Sequence, residues 1–127
     1  MQIVRVSRRL VAVVALAVFG QLVDSAQYRG ACITNRKLFI NIDHHESNTR
    51  YGDINWVSAR EASTGELIYK LLRVANWPIT RPMADCLFTA VSTDTGSFQY
   101  ATTQPGTYTI AGDLVRRGAN LAKITVN

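Results

Sequence analysis

The chain has 127 residues, of which 47% are apolar and 18% charged, a length that holds one domain with a core but lies near the small end for an α/β enzyme. The net charge of +5 favours anionic partners such as nucleotides, nucleic acid or a membrane surface, although mild basicity is also what an ordinary solvated surface carries. Cys32 and Cys86 form no CxxC pair, and with only two histidines beside them a zinc site of the usual spacing is excluded.

The first thirty residues admit two readings. Arg5, Arg8 and Arg9 precede the apolar run from Leu10 to Gly20, and Asp24-Ser25-Ala26 follows. A basic head, a short apolar stretch and small residues outline a secretory signal covering residues 1–26, which would make this an exported protein. The run is short for a membrane-spanning helix. The same stretch, rich in valine at 11, 13, 14 and 18, also describes a buried parallel strand. Asp24, after Leu22-Val23, then stands at the carboxyl edge of the sheet, where ligands bind.

Further along, Lys37 to Ile42 is a β-prone run that delivers Asp43-His44-His45 at its end. A polar loop is expected from Glu46 to about Ala62, with Asn48, Gly52 and Asn55 as turn formers. Ser63-Thr64-Gly65-Glu66 matches a capping box and predicts a helix from near Thr64. Leu67, Ile68, Leu71 and Leu72 share one face of it, and Asn76-Trp77-Pro78 ends it. A second helix starts at Thr80-Arg81-Pro82, with Met83, Leu87, Phe88 and Val91 as its apolar stripe. Cys86 in that run reads as a buried, reduced thiol.

Thr93 to Phe98 reads as a turn-rich loop, and Phe98-Gln99-Tyr100 as a short strand. A last helix is expected from Thr107 or Tyr108, with Gly118 as its C-terminal stop. Alternating strands and helices predict an α/β fold, a mostly parallel sheet with helices on both faces. The expected division is residues 1–34 as a separate N-terminal segment and 35–127 as the body of the domain.

Imidazole and carboxylate together at 43–45 suit Mn²⁺, Fe²⁺ or Zn²⁺, and carboxylates also suit Mg²⁺. In Thr93-Asp94-Thr95-Gly96-Ser97, hydroxyls and a glycine flank a second carboxylate, a composition that can orient a metal ligand and admit a phosphate to the backbone. Each element alone is also an ordinary polar turn. Basic residues at 5, 8, 9, 36, 37, 116 and 117 are scattered, without the aromatic interleaving of a stacking platform.

Together the blocks Asn41 to Asn48, Tyr51 to Asn55, Ala62 to Leu67 and Thr93 to Phe98 resemble the DHH phosphoesterase family. The subgroup that looks nearest is the bifunctional oligoribonuclease and 3′-phosphoadenosine 5′-phosphate phosphatase, with the likeness running from about Asn35 to Leu121. The resemblance implies a cytoplasmic enzyme with a two-metal centre, usually Mn²⁺, that hydrolyses short single-stranded oligonucleotides or nucleotide phosphates, and it weights the N-terminal run toward the strand. It implies metal ligands at Asp24, His44 and Asp94, a phosphate contact at His45, and support of the histidine site by Asp43. Asn48, Thr95, Gly96 and Ser97 are the expected substrate contacts.

Two features of the family are not found. Its first motif needs a histidine followed by two aspartates, and this chain has no third histidine. Its glycine-rich second domain would follow after Asn127. The expectation is therefore a partial DHH domain, with weak hydrolysis or none, or a non-catalytic remnant that binds metal or nucleotide, and with apolar surface that favours self-association.

Overall fold

A computed structural model describes residues 40–124. Asp24, the valine-rich run and the 1–34 segment lie outside the described residues.

Two short strands pair in parallel, β1 (Ile40–Asp43) and β2 (Ile54–Val57). Ile40 faces Ile54, Asn41 faces Asn55, Ile42 faces Trp56 and Asp43 faces Val57. β2 corrects the expectation of an unbroken loop from 46 to 62. Gly52 does lie in a bend, but Asn55, the third expected turn former, falls in the strand, where Ile54, Trp56 and Val57 have the bulk that fits a pleated surface. Ser58 N–H continues the ladder to Asp43 C=O at 3.0 Å.

Helix α1 (Thr64–Val74) begins at the expected cap. Ser63 Oγ accepts from Glu66 N–H at 3.1 Å, while the buried Glu66 carboxylate reaches back one residue further, to Ala62 N–H at 3.1 Å. Leu67, Ile68 and Leu72 are buried and Leu71 is half-buried. Helix α2 (Arg81–Asp94) has proline in its first turn and buries Ala84, Leu87, Ala90 and Val91. Gly65 permits the close approach of α1 to α2, since a Cβ there would lie 2.9 Å from Ala90 Cβ. Cys86 is exposed, contrary to the expectation of a buried thiol. It lies beside the Ala84–Leu87–Val91 stripe instead of on it.

Helix α3 (Pro105–Arg116) starts two residues before Thr107. Proline needs no partner at the first helical position, and Thr107 Oγ1 accepts from Gln104 N–H at 3.2 Å, which anchors the turn. A last turn, α4 (Leu121–Ile124), packs near α2, and Asp85 Oδ1 accepts from Asn120 N–H at 2.7 Å just ahead of it. Among the described residues no helix is long and apolar enough to cross a membrane.

The ends of α1, α2 and α3 share one device. Asn76, Gly96 and Gly118 follow the caps with φ of 54°, 55° and 97°. The next amide then reaches back five residues, Trp77 to Leu72 at 2.9 Å, Ser97 to Ser92 at 2.7 Å and Ala119 to Leu114 at 3.1 Å. After α2 the left-handed turn continues through Ser97 and Phe98, at φ 56° and 67°, so residues 98–100 form a turn ending in a bend and not the expected strand. Phe98 is held between Phe88 and Tyr108, at ring distances of 5.7 and 5.6 Å.

Asp113 ties α1 to α3. Its Oδ2 accepts from Arg117 Nε at 2.6 Å and from Tyr69 Oη at 2.8 Å, and its Oδ1 from Arg116 at 2.9 Å. The Arg117 bond, helped by Tyr69 and the two guanidinium charges and opposed by burial, holds this carboxyl below its ordinary value of 3.8. A carboxyl lowered in the folded state stabilises the fold above its unfolded pKa and ceases to do so as pH falls through the folded one. Asp113→Asn is expected to cost about 0.5–1 kcal/mol at pH 7. Urea melts from pH 7 to 2 should show that gap closing only below about pH 4, and a gap that persists at pH 2 would point to packing instead of charge.

Candidate metal and phosphate site

β1 ends at Asp43, and the chain turns there. Asp43 Oδ1 accepts from His44 N–H at 2.7 Å and from His45 N–H at 3.3 Å, and meets His45 Nδ1 at 2.8 Å. An ionised Asp43 carboxylate can only accept, so His45 Nδ1 is the donor in this contact, and Nε2 carries the lone pair whenever the ring is neutral. Asp43 Oδ2 accepts from Asn48 Nδ2 at 2.5 Å. Burial alone would raise this carboxyl, but the bonds from Asn48, the His45 ring and the His44 amide outweigh it and hold Asp43 below its ordinary value.

Asparagines at 41, 48 and 55, each seven residues from the next, join this turn to the sheet. Asn41 is buried and donates to Asn48 Oδ1 at 2.8 Å and to Asn55 Oδ1 at 3.0 Å. Asn55 in turn bonds both backbone groups of Gly52, at 2.9 and 2.7 Å. Gly52 must be glycine for space: a Cβ would lie 2.7 Å from Ile54 C=O and 2.9 Å from Asn41 N.

Asp94 comes from the opposite side. It occupies the last turn of α2, where a loop was expected, because the helix is stopped only by the left-handed Gly96. Its Oδ2 lies 3.5 Å from His44 Nε2, with both side chains largely buried at 14% and 17% exposure. Thr64 N–H, at the start of α1, also bonds this carboxylate, whose charge suits the positive end of a helix. Burial nonetheless dominates and raises the Asp94 carboxyl above its ordinary value, with nearby Asp43 adding to the rise and His44 and His45 opposing it.

The fold thus brings together Asp43, His44, His45, Asn48 and Asp94. The donor atoms of Asp43, His44 and His45 lie within 4.8 Å of one another, and the His44–Asp94 separation suits two donors on one cation better than a hydrogen bond. Residues 95–97 separate. Thr95 is fully buried, and its hydroxyl donates to Val91 C=O at 2.6 Å and accepts from Phe98 N–H at 3.1 Å, so it shapes the turn and offers no group to a ligand, against the expectation. Gly96 is half-buried and Ser97 exposed on the same turn. Asn41 and the Thr64 amide were not singled out in the sequence, and Gly52 was read there only as a turn former. Asn41 left one sign, a polar side chain between two isoleucines of an apolar strand.

Two outcomes are expected. Gly52→Ala should destabilise the chain by about 1–3 kcal/mol through overpacking, read as a lower urea midpoint; an unchanged midpoint would mean that the bend relaxes freely. Asp94→Asn should stabilise the metal-free chain at pH 7, because a carboxyl whose folded pKa is raised opposes folding once ionised. The gain should fade below about pH 4, where aspartate is protonated in the unfolded chain too. A loss of stability at pH 7 would instead make the ionised carboxylate a net support of the fold.

Comparison with protein-family models finds no match. Individual relatives are found. The bifunctional oligoribonuclease and PAP phosphatase NrnA of Thermus thermophilus is 35% identical over 86 residues, 68% of this chain and 26% of that protein. Its namesake from Bacillus subtilis is 31% identical over 80 residues, 61% of this chain and 26% of that protein. The crystal structure of an exopolyphosphatase-related protein from Bacteroides fragilis superposes with a TM-score of 0.63 at 30% identity, covering 67% of this chain and 26% of the other. The chain spans about a quarter of the length of these relatives. Over some two thirds of its own length the chain is similar to these proteins, which supports its resemblance to the DHH phosphoesterases and to their oligoribonuclease and PAP phosphatase subgroup.

Proposed function

We propose that this chain carries part of the active site of a metal-dependent phosphoesterase, with short oligoribonucleotides or nucleotide phosphates as substrates and Mn²⁺ as the favoured cation. The observation that supports it most is the convergence of the strand end, Asp43-His44-His45, with Asp94 at the end of α2. His44 and Asp94 are the ligands best placed to share one ion. His45, half-exposed with Nδ1 held by Asp43, offers its Nε2 to the ion or, when protonated, to a phosphate oxygen. Divalent cations at such a site supply charge that clamps a phosphate and offsets the negative charge of attack. The names of the relatives support the substrate class, as does the net charge of +5.

A second reading keeps the site and drops turnover. The candidate donors among the described residues form one cluster, and the chain holds two histidines in all. On that basis hydrolysis by the chain alone is expected to be strongly reduced.

The test is to titrate the full chain with Mn²⁺ by electron paramagnetic resonance and to follow mononucleotide release from an RNA dinucleotide, with His44→Ala alongside. Loss of a ligand should weaken binding by well over the 10–100-fold typical of a supporting residue. Metal-dependent release abolished in His44→Ala supports the enzyme. Binding lost in the variant, without release from either chain, supports the non-catalytic reading. Binding that His44→Ala leaves unchanged rejects the site altogether.

A further inference from the structure

Asn48 was expected to meet substrate, yet its amide is occupied on all sides. Nδ2 donates to Asp43 Oδ2 at 2.5 Å and to Asn41 Oδ1 at 3.3 Å. Oδ1 accepts from Asn41 Nδ2 at 2.8 Å and from Arg50 N–H at 2.8 Å. An amide has two donor hydrogens and two acceptor lone pairs, so its capacity is filled. Two of these neighbours act in one sense only: the Arg50 amide donates and the Asp43 carboxylate accepts. They fix which end of the Asn48 amide faces which. Arg50 presents its N–H from a left-handed backbone, φ 54°, a conformation that a non-glycine residue holds only under constraint.

Asp43 therefore has donors on both of its oxygens. Asn48 holds Oδ2, and the His44 amide, His45 amide and His45 ring share Oδ1. With Oδ2 pinned, the carboxylate cannot rotate away from the ring. We propose that Asn48 is a positioning residue, which, braced by Asn41 and Asn55 on the two strands, holds the Asp43 carboxylate so that His45 keeps its proton on Nδ1 and presents Nε2 outward. This deepens the phosphoesterase reading and rests on it for the purpose of the ring. A proton on the wrong nitrogen would remove the outward lone pair of the neutral imidazole, which a ligand to a cation needs.

The test reads the tautomer directly. Long-range proton–nitrogen correlation spectra of the full chain, at a pH where the rings are neutral, are compared for wild type and Asn48→Ala. Since the chain has two histidines, His44→Gln assigns the signals. Wild type is expected to show His45 protonated on Nδ1. Asn48→Ala should shift the ratio of tautomers by about tenfold toward Nε2–H, the scale of one hydrogen bond to a charged group. Asn48→Ser, which keeps a donor for Asp43, should restore part of it. A folded Asn48→Ala with wild-type His45 signals overturns the proposal. Should that variant unfold, Asn41→Ala, which removes the brace and leaves Asn48 in place, carries the same prediction and the same rejection. Mn²⁺ broadening of the wild-type histidine signals is followed separately: its absence rejects the metal-site reading while the tautomer result still decides the role of Asn48.

Discussion

Asn41 and Asn55 stand opposite each other in the parallel register of β1 and β2, joined at 3.0 Å. Much of the candidate site depends on that pair. Parallel strands are joined by a crossover, so the ten residues between β1 and β2 must leave the sheet and return without a tight hairpin to define their path. The asparagine ladder supplies the definition. Asn55 seizes the backbone of Gly52 on the way back, and Asn41 seizes Asn48 on the way out. A buried amide left unsatisfied costs about 1–3 kcal/mol, so each bond in the ladder enforces the next. The turn that carries His44 and His45 is thereby fixed by side chains that lie behind it.

The other wall of the site is built from helix ends. Asp94 sits on the last turn of α2 and bonds the first amide of α1. Gly65, one residue into α1, lets the two helices approach closely enough for that meeting. The left-handed stop after Asp94 then turns the chain away through Gly96, Ser97 and Phe98. A left-handed residue other than glycine costs about 1–2 kcal/mol. The aromatic stack of Phe98 between Phe88 and Tyr108, together with the buried Thr95 hydroxyl, opposes that cost.

Much of this was legible in the sequence, for reasons that differ by element. The Ser63 cap, the stripe Leu67, Ile68 and Leu72 and the stop at Gly118 obey local rules of helices, which need no tertiary context. Asp43, His44 and His45 were found because chemistry-bearing residues cluster at a strand end. β2 was hidden because four residues of strand among turn formers leave too short a pattern, and pairing with β1 decides the matter. Thr95 was misjudged because a hydroxyl in a polar turn looks the same whether it faces water or closes the turn on itself. Asn41 could be seen as odd but not explained, since its partners are seven and fourteen residues away.

The two carboxylates of the site are pushed in opposite directions, and the causes are structural. Asp43 has its oxygens filled by four donors and is held in the charged form at little cost. A group so satisfied gains little from a cation and is suited to orienting its neighbour. Asp94 is more deeply desolvated, burial being the largest influence on its carboxyl, and it faces His44 at 3.5 Å. Its ionised form is the less comfortable one in the metal-free chain, so it has the most to gain when positive charge arrives. The division of labour proposed for them, Asp43 as support and Asp94 as ligand, is in keeping with the opposite directions in which their surroundings push the two carboxyls.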